Sequence, residues 1–285
     1  MEKSNVQVRS DYAGAIQVSP NDVGVVRHHR RRRLLLRLAL GIGLPLTAPV
    51  VAVAAWAICV PVFHIPDFVI PAPLHVLNAL VQDRSMLFHE SLPTTEETVM
   101  GFALSIATAI PLGLLIALST VASRVIYPSL VFIQLVPKIA VAPLFLVWFG
   151  FGLQSKVLLT VLMTFFPLLM ASIVGFAILD ARLLYLTRSM GASQWQTLRF
   201  LRLPAALPVI FSGLKTSATI AVTAAIVAEF IGSNTGLGYE LLQATTNLQM
   251  GLIFAILIVM TLLGVLINLV VEIGEYLLTP WKRVK

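Results

Sequence analysis

Six stretches of this chain, at about 42–63, 98–119, 126–149, 157–179, 206–231 and 251–278, are continuously apolar. Each reaches the ~20 residues a helix needs to cross ~30 Å of hydrocarbon at ~1.5 Å per residue. In such a solvent every backbone N–H and C=O must find its partner within the protein, so helices are the spanning structure these runs allow. The rest of the composition agrees. Apolar residues make up 58% of the 285 and charged residues 12%, with mean hydropathy +0.92, against about 45–50% and about 25% in soluble domains. The expected fold is an all-α integral membrane bundle of six transmembrane helices over residues 38–285, preceded by a basic tail over 1–37.

The net charge of +7 would suggest nucleic acid in a soluble protein; here the placement of the charges points to a membrane instead. The tail ends in R-H-H-R-R-R-R-L-L-L-R. With the N-terminus inside, sixteen Lys and Arg fall on the inner face and only Arg84 and Lys156 on the outer. That asymmetry puts both termini in the cytoplasm by the positive-inside rule and leaves nucleic acid without support as a partner. The first apolar run is too long for a signal-peptide core, although Ala52-Val53-Ala54 resembles a cleavage site. Cys59 is the only cysteine, which excludes a disulfide framework and a cysteine metal site. Between the first two runs, Pro66, Pro71 and Pro73 introduce a short amphipathic pattern that reads as extramembranous.

The longest polar interruption is D-A-R-L-L-Y-L-T-R-S-M-G-A-S-Q-W-Q-T-L-R-F-L-R-L-P, Asp180 to Pro204. It reads as two short helices meeting at a corner. Gly191 supplies the φ that a helix C-terminus favours. Ser193 and Gln196 have the spacing of a capping box, and Pro204 closes the second helix because a proline disfavours helical geometry in the residue before it.

No phosphate-binding loop is present: Gly150 to Lys156, G-F-G-L-Q-S-K, lacks the second glycine. There is no HExxH or G-x-S-x-G either. Charged groups inside spans cost about 2.5–3.5 kcal/mol on insertion scales and mark function by default. Lys138, between Pro137 and Pro143 in the third run, either faces a solvated pathway, meeting an anionic solute or a carboxylate such as Glu229, or caps carbonyls freed at a helix break. Glu229 reads as a gate or a structural hydrogen bond. Ser212, Gly213, Thr216, Ser217, Thr219 and Thr223, among several alanines, make the fifth run either a close-packing helix or the lining of a polar pathway. Ile231 to Tyr239 reads as a turn-rich outer loop.

From Arg188 through Gly191 to Leu203-Pro204 the corner resembles the cytoplasmic loop of binding-protein-dependent ABC importer permeases. I-P-A-P at 70–73, G-F at 101–102, A-P-L-F-L-V-W-F-G at 142–150, V-A-E at 227–229 and G-L-G-Y at 236–239 are similar to the nitrate/sulfonate/taurine branch. The sequence departs from the family where its usual Glu falls at Tyr185 and its two small residues at Leu186 and Thr187. The resemblance implies the MetI-like fold of type I importers in a bacterial inner membrane. It implies a homodimer, an extracytoplasmic binding protein, and two copies of a cytoplasmic ATPase that holds ATP and Mg, so that this chain carries no cofactor and no catalytic residue. Tyr185, Arg188, Met190, Gly191, Ala192, Ser193, Trp195, Gln196 and Pro204, within coupling helices at about 181–203, would engage the ATPase. Lys138, Thr216, Thr219, Thr223 and Glu229 would line or gate the pathway. The implied solute is a small anion such as a sulfonate or nitrate, with a thiamine-precursor-like heterocycle or an aromatic acid as the alternative. A secondary transporter would carry inverted repeats, and none is legible; a membrane scaffold whose corner merely docks a partner remains as another class.

Overall fold

The computed structural model describes residues 47–283, apart from the side chains of Thr120, Lys282 and Arg283. The basic tail and the start of the first apolar run lie outside them. The chain divides into a unit ending at His64 and a second beginning at Ile65. In the first, α1 covers Thr47–Val62 and runs straight through Ala52-Val53-Ala54.

Every regular element among the described residues of the second unit is a helix. After α2 (Pro73–Gln82) come α3 (Arg84–Leu118), α4 (Thr120–Gln134), α5 (Lys138–Phe149), α6 (Leu153–Ala177) and α7 (Ala181–Ser189). Then follow α8 (Gln194–Thr197), a wide turn at Leu198–Arg202, α9 (Leu203–Gly232), α10 (Leu237–Thr246) and α11 (Met250–Leu278). The core is the triplet α3, α6 and α9, with α11 against α9, and α2 and α10 packed on α11. Leu168, Leu169, Ile173, Phe176, Ala206 and Ile210 fill its centre. The α6–α9 seam is close because the residues are small: a Cβ on Gly213 would collide with that of Ala171. Hydroxyls in the core return to their own helices, as Thr160 does to Lys156 O, or cross between them, as Ser217 does to Thr164 O at 3.0 Å.

Several sequence expectations are refined. Among the described residues four helices are each long and apolar enough to span, or five if the bent α4–α5 pair is one span; the first apolar run is described only in part. The third run is not one rod: α4 and α5 meet at 87°, and at 15 and 12 residues each is only about 22 and 18 Å long. The cause is Leu135-Val136-Pro137, where the proline lacks a donor and keeps the residue before it out of helical geometry. Secondly, α3 begins fourteen residues before the apolar run, at Arg84, and carries Pro93 within it. Thirdly, Pro204 does not end the corner's second helix. Residues Gln194–Gly232 form one helix of 39 residues, because the turn at 198–202 widens to place Leu203 N–H on Leu198 O. That local i→i+5 register absorbs the proline's missing N–H without a break. The segment at 231–239, expected as a turn-rich loop, is likewise mostly helix: only Ser233–Gly236 is a turn, and α10 follows.

Candidate functional site

At the corner, both helix ends are closed by local sequence. Gly191 has φ 79°, its N–H donates to Arg188 O at 3.0 Å, and Ala192 N–H donates to Thr187 O at 3.0 Å. This is the paired closure of a Schellman motif, which leaves α7 with few orphan carbonyls. Two residues on, Gln196 N–H donates to Ser193 Oγ at 3.2 Å while Ser193 N–H donates to Gln196 Oε1 at 2.8 Å, the reciprocal box expected from the sequence. Asp180 opens α7 by accepting from Arg182 N–H at 2.9 Å. The corner is therefore stiff, and it is continuous with the 39-residue helix. Tyr185, Met190 and Trp195 project from it, 70%, 77% and 67% exposed. Arg188, Ser193 and Gln196 are also exposed and Ala192 is half-buried.

The fifth apolar run has two faces. Gly213, Ser217, Ala218, Ala221, Ala224 and Ala225 are buried in the core. Ser212, Thr216, Thr219 and Thr223, at steps of four, three and four, form an exposed stripe. Asn268 of α11 donates to Thr219 Oγ1 at 2.9 Å. A trough of about 550 Å³ between α9 and α11 is lined by Thr219, Thr223, Met260, Thr261, Asn268 and Glu272. Near the α8 end of α9, Lys215 pairs with Glu275 at 2.6 Å.

Lys138 and Glu229 are not brought together. Lys138 Nζ donates to Gln134 O at 2.9 Å, on the carbonyl freed at the α4–α5 break, and lies 5.5 Å from the Phe166 ring centre. Glu229, 1% exposed, accepts from Thr94 Oγ1 at 2.6 Å and from Gly238 N–H at 2.5 Å. Thr94 Oγ1 in turn accepts from Leu237 N–H at 2.9 Å, and Glu90 Oε2 from Gly236 N–H at 2.6 Å. Gly236 has φ 101°, and a Cβ there would fall on the Glu229 carboxylate. V-A-E and G-L-G-Y are thus two halves of one lock: the carboxylate needs backbone N–H groups at its edge, and only residues without side chains let them approach.

Beside this lock is an ion pair the sequence reading missed. Lys156 Nζ donates to Glu97 Oε1 at 2.6 Å and to Ser233 Oγ at 2.6 Å, with side chains 7% and 1% exposed. Together Glu90, Thr94, Glu97, Lys156 and Glu229 tie α3, α6 and α9 to the turn that starts α10. Lys156 had read as an outer-loop cation and Glu97 lay just before an apolar run. The signal available was an acid and a base immediately before the starts of two apolar runs, Glu97 before one and Lys156 before the other. Outside the spans, burial, and secondarily the Glu90 carboxylate, raise the Glu240 carboxyl above its ordinary value.

An all-helical membrane bundle with a rigid polar corner on one end and a hydroxyl-lined trough along two helices is the anatomy of a solute permease. The chain belongs to the family described as binding-protein-dependent transport system inner membrane component, whose model matches residues 109–284. It is 35% identical to the formylaminopyrimidine transport permease protein ThiX of Halalkalibacterium halodurans over 76% of this chain and 87% of that one. It is 34% identical to the riboflavin transport system permease protein RibX of Chloroflexus aurantiacus, covering 85% and 90%. It is also 31% identical to the putative aliphatic sulfonates transport permease protein SsuC of Bacillus subtilis, covering 84% and 87%. A chain of the MetNI methionine ABC transporter shares the fold, with TM-score 0.58 over 69% of this chain and 97% of that one at 18% identity. This protein is therefore the membrane permease component of an ABC importer, and the hydrolysis of ATP resides in a separate subunit.

Proposed function

We propose that two copies of this chain form the translocation pathway of a bacterial inner-membrane importer, gripped at residues 181–203 by two copies of a cytoplasmic ATPase and fed by an extracytoplasmic binding protein. Both termini then lie in the cytoplasm, as the positive charge asymmetry requires. The observation that carries the reading is the corner capped on both sides and continuous with α9. A displacement of such a corner is transmitted as a rigid-body motion, which a loose loop would dissipate. Tyr185, Met190 and Trp195 are the side chains placed to enter a partner's groove, while Gly191 and the Ser193–Gln196 box hold them there. Tyr185, where the family carries Glu, makes that contact aromatic.

Along the pathway, Thr216, Thr219 and Thr223 present hydroxyls next to Asn268, and Lys215–Glu275 stands at its inner end. Lys138 is a brace for the α4–α5 bend, and Glu229 holds the outer turn. The two lysines nearest the route are engaged, one with a carbonyl and one with a carboxylate. A route with hydroxyls, an amide and apolar walls, and no unpaired cation among these residues, favours a planar hydrogen-bonding heterocycle over a compact anion. The names of the two relatives at 35% and 34% identity lean the same way; the sulfonate reading rests on the relative at 31%.

The test is uptake into proteoliposomes holding the permease with its ATPase, supplied with the cognate binding protein loaded with an aminopyrimidine or an alkanesulfonate. ATP-dependent uptake of the aminopyrimidine supports the reading, and uptake of the sulfonate alone overturns the solute assignment. Stimulated hydrolysis that survives Tyr185→Ala, Met190→Ala and Trp195→Ala together overturns the corner's role.

A further inference from the structure

Between the end of α3 and the corner is a cavity of about 320 Å³, walled by Leu118, Leu184 and Trp195 and carrying Arg188, Gln194 and Arg202. No carboxylate is among its lining residues. The Arg188 guanidinium meets no hydrogen-bond or ion-pair partner among the described residues. That of Arg202 reaches only Phe176 O, at 3.5 Å, so most of its five N–H donors are free. Two guanidinium groups in one concave site without an acid are unbalanced charge, and planar guanidinium forks match phosphate oxygens bidentately.

One rim of the cavity says what carries the phosphate. Leu118, 50% exposed, and Leu115, 64% exposed and one turn back, continue the apolar wall from the cavity up the outside of α3, with Leu112 a turn further. An anion in the cavity would have hydrocarbon alongside it on that helix. The Trp195 ring lines the same cavity. We propose that the cavity binds the phosphodiester headgroup of an anionic phospholipid, whose acyl chains run along Leu118 and Leu115. This rests on the corner lying at the inner membrane face. A bound headgroup would bridge α7, the wide turn at Leu198–Arg202 and the end of α3, so that lipid occupancy sets how firmly the corner is joined to the bundle.

The full-length permease is purified in detergent and titrated with phosphatidylglycerol, with phosphatidylcholine of the same acyl chains, and with glycerol-3-phosphate, and retained molecules are counted by native mass spectrometry. The expected result is retention of phosphatidylglycerol about tenfold over phosphatidylcholine, as charge-assisted contacts to two arginines would give. That preference should be largely lost in the R188Q/R202Q variant. The basic tail is the same in both proteins and cannot produce the difference. If the double variant does not fold, R188Q alone serves, since the Arg188 side chain has no hydrogen-bond or ion-pair partner among the described residues and no ATPase is present in the assay. Equal retention of the two lipids, or a preference unchanged in the variant, overturns the proposal. Displacement of the lipid by equimolar glycerol-3-phosphate overturns it in favour of a soluble phosphate. Because no ATPase is present, a failure here is distinct from a failure of the coupling role.

Discussion

Lys156→Met should destabilise the bundle more than any other single change of one exposed or buried cation. The pair it breaks is buried, with side chains 7% and 1% exposed and 2.6 Å between Nζ and Oε1. Glu97 Oε2 already has no hydrogen-bond partner, so loss of the ammonium leaves the whole carboxylate facing protein alone. Removing one partner of a buried pair costs about 3–5 kcal/mol, whereas replacing both by apolar groups of similar volume is often neutral. The Ser233 hydroxyl loses one of its three contacts at the same time, which adds about 1 kcal/mol. Glu97→Leu combined with Lys156→Met should recover most of the loss, since the uncompensated charge is gone. The measurement is a double-mutant cycle on the thermal midpoint of the detergent-purified permease, followed by intrinsic fluorescence. A single variant as stable as the native chain, or a double variant as unstable as the sum of its parts, would refute the argument that desolvated charge dominates this site.

Gly191→Val places a β-branched residue at φ 79°, costing about 1–2 kcal/mol of local strain, and should lower ATP-dependent uptake in proteoliposomes while leaving the thermal midpoint of the bundle within a few degrees. Gly236→Ala puts a methyl on the Glu229 carboxylate; amide exchange across 233–238 should rise sharply, and unchanged protection there would count against the lock. Ser193→Ala removes the cap oxygen and should cost about 1 kcal/mol, read as faster exchange at 194–198 only. Because burial raises Glu240, its folded form holds a proton that the unfolded chain gives up near 4.5. Stability therefore falls as pH rises through that window, and the slope of midpoint against pH should flatten in Glu240→Gln.

The membrane class, the all-helical fold, the corner and the family were legible in the sequence because each is set by local chemistry. Runs of apolar residues must satisfy their backbone internally wherever they sit, and Gly191 or the Ser193–Gln196 box acts over four residues. The V-A-E and G-L-G-Y motifs were visible too, as separate strings. Their meaning was not, because Glu229 meets Gly238 only through the turn nine residues on, and meets Thr94 through helix packing across 135 residues. The same holds for Lys156 and Glu97, whose charges face each other only because α3 and α6 lie side by side. Whether Pro137 or Pro143 bends the chain, and whether Pro204 ends a helix, depends on the ladder around each proline: one is released by a 87° turn, another is absorbed by a wider register. Composition and spacing decide what a segment can be; only the packed bundle decides which of its faces meets water, which meets another helix, and which charge finds its partner.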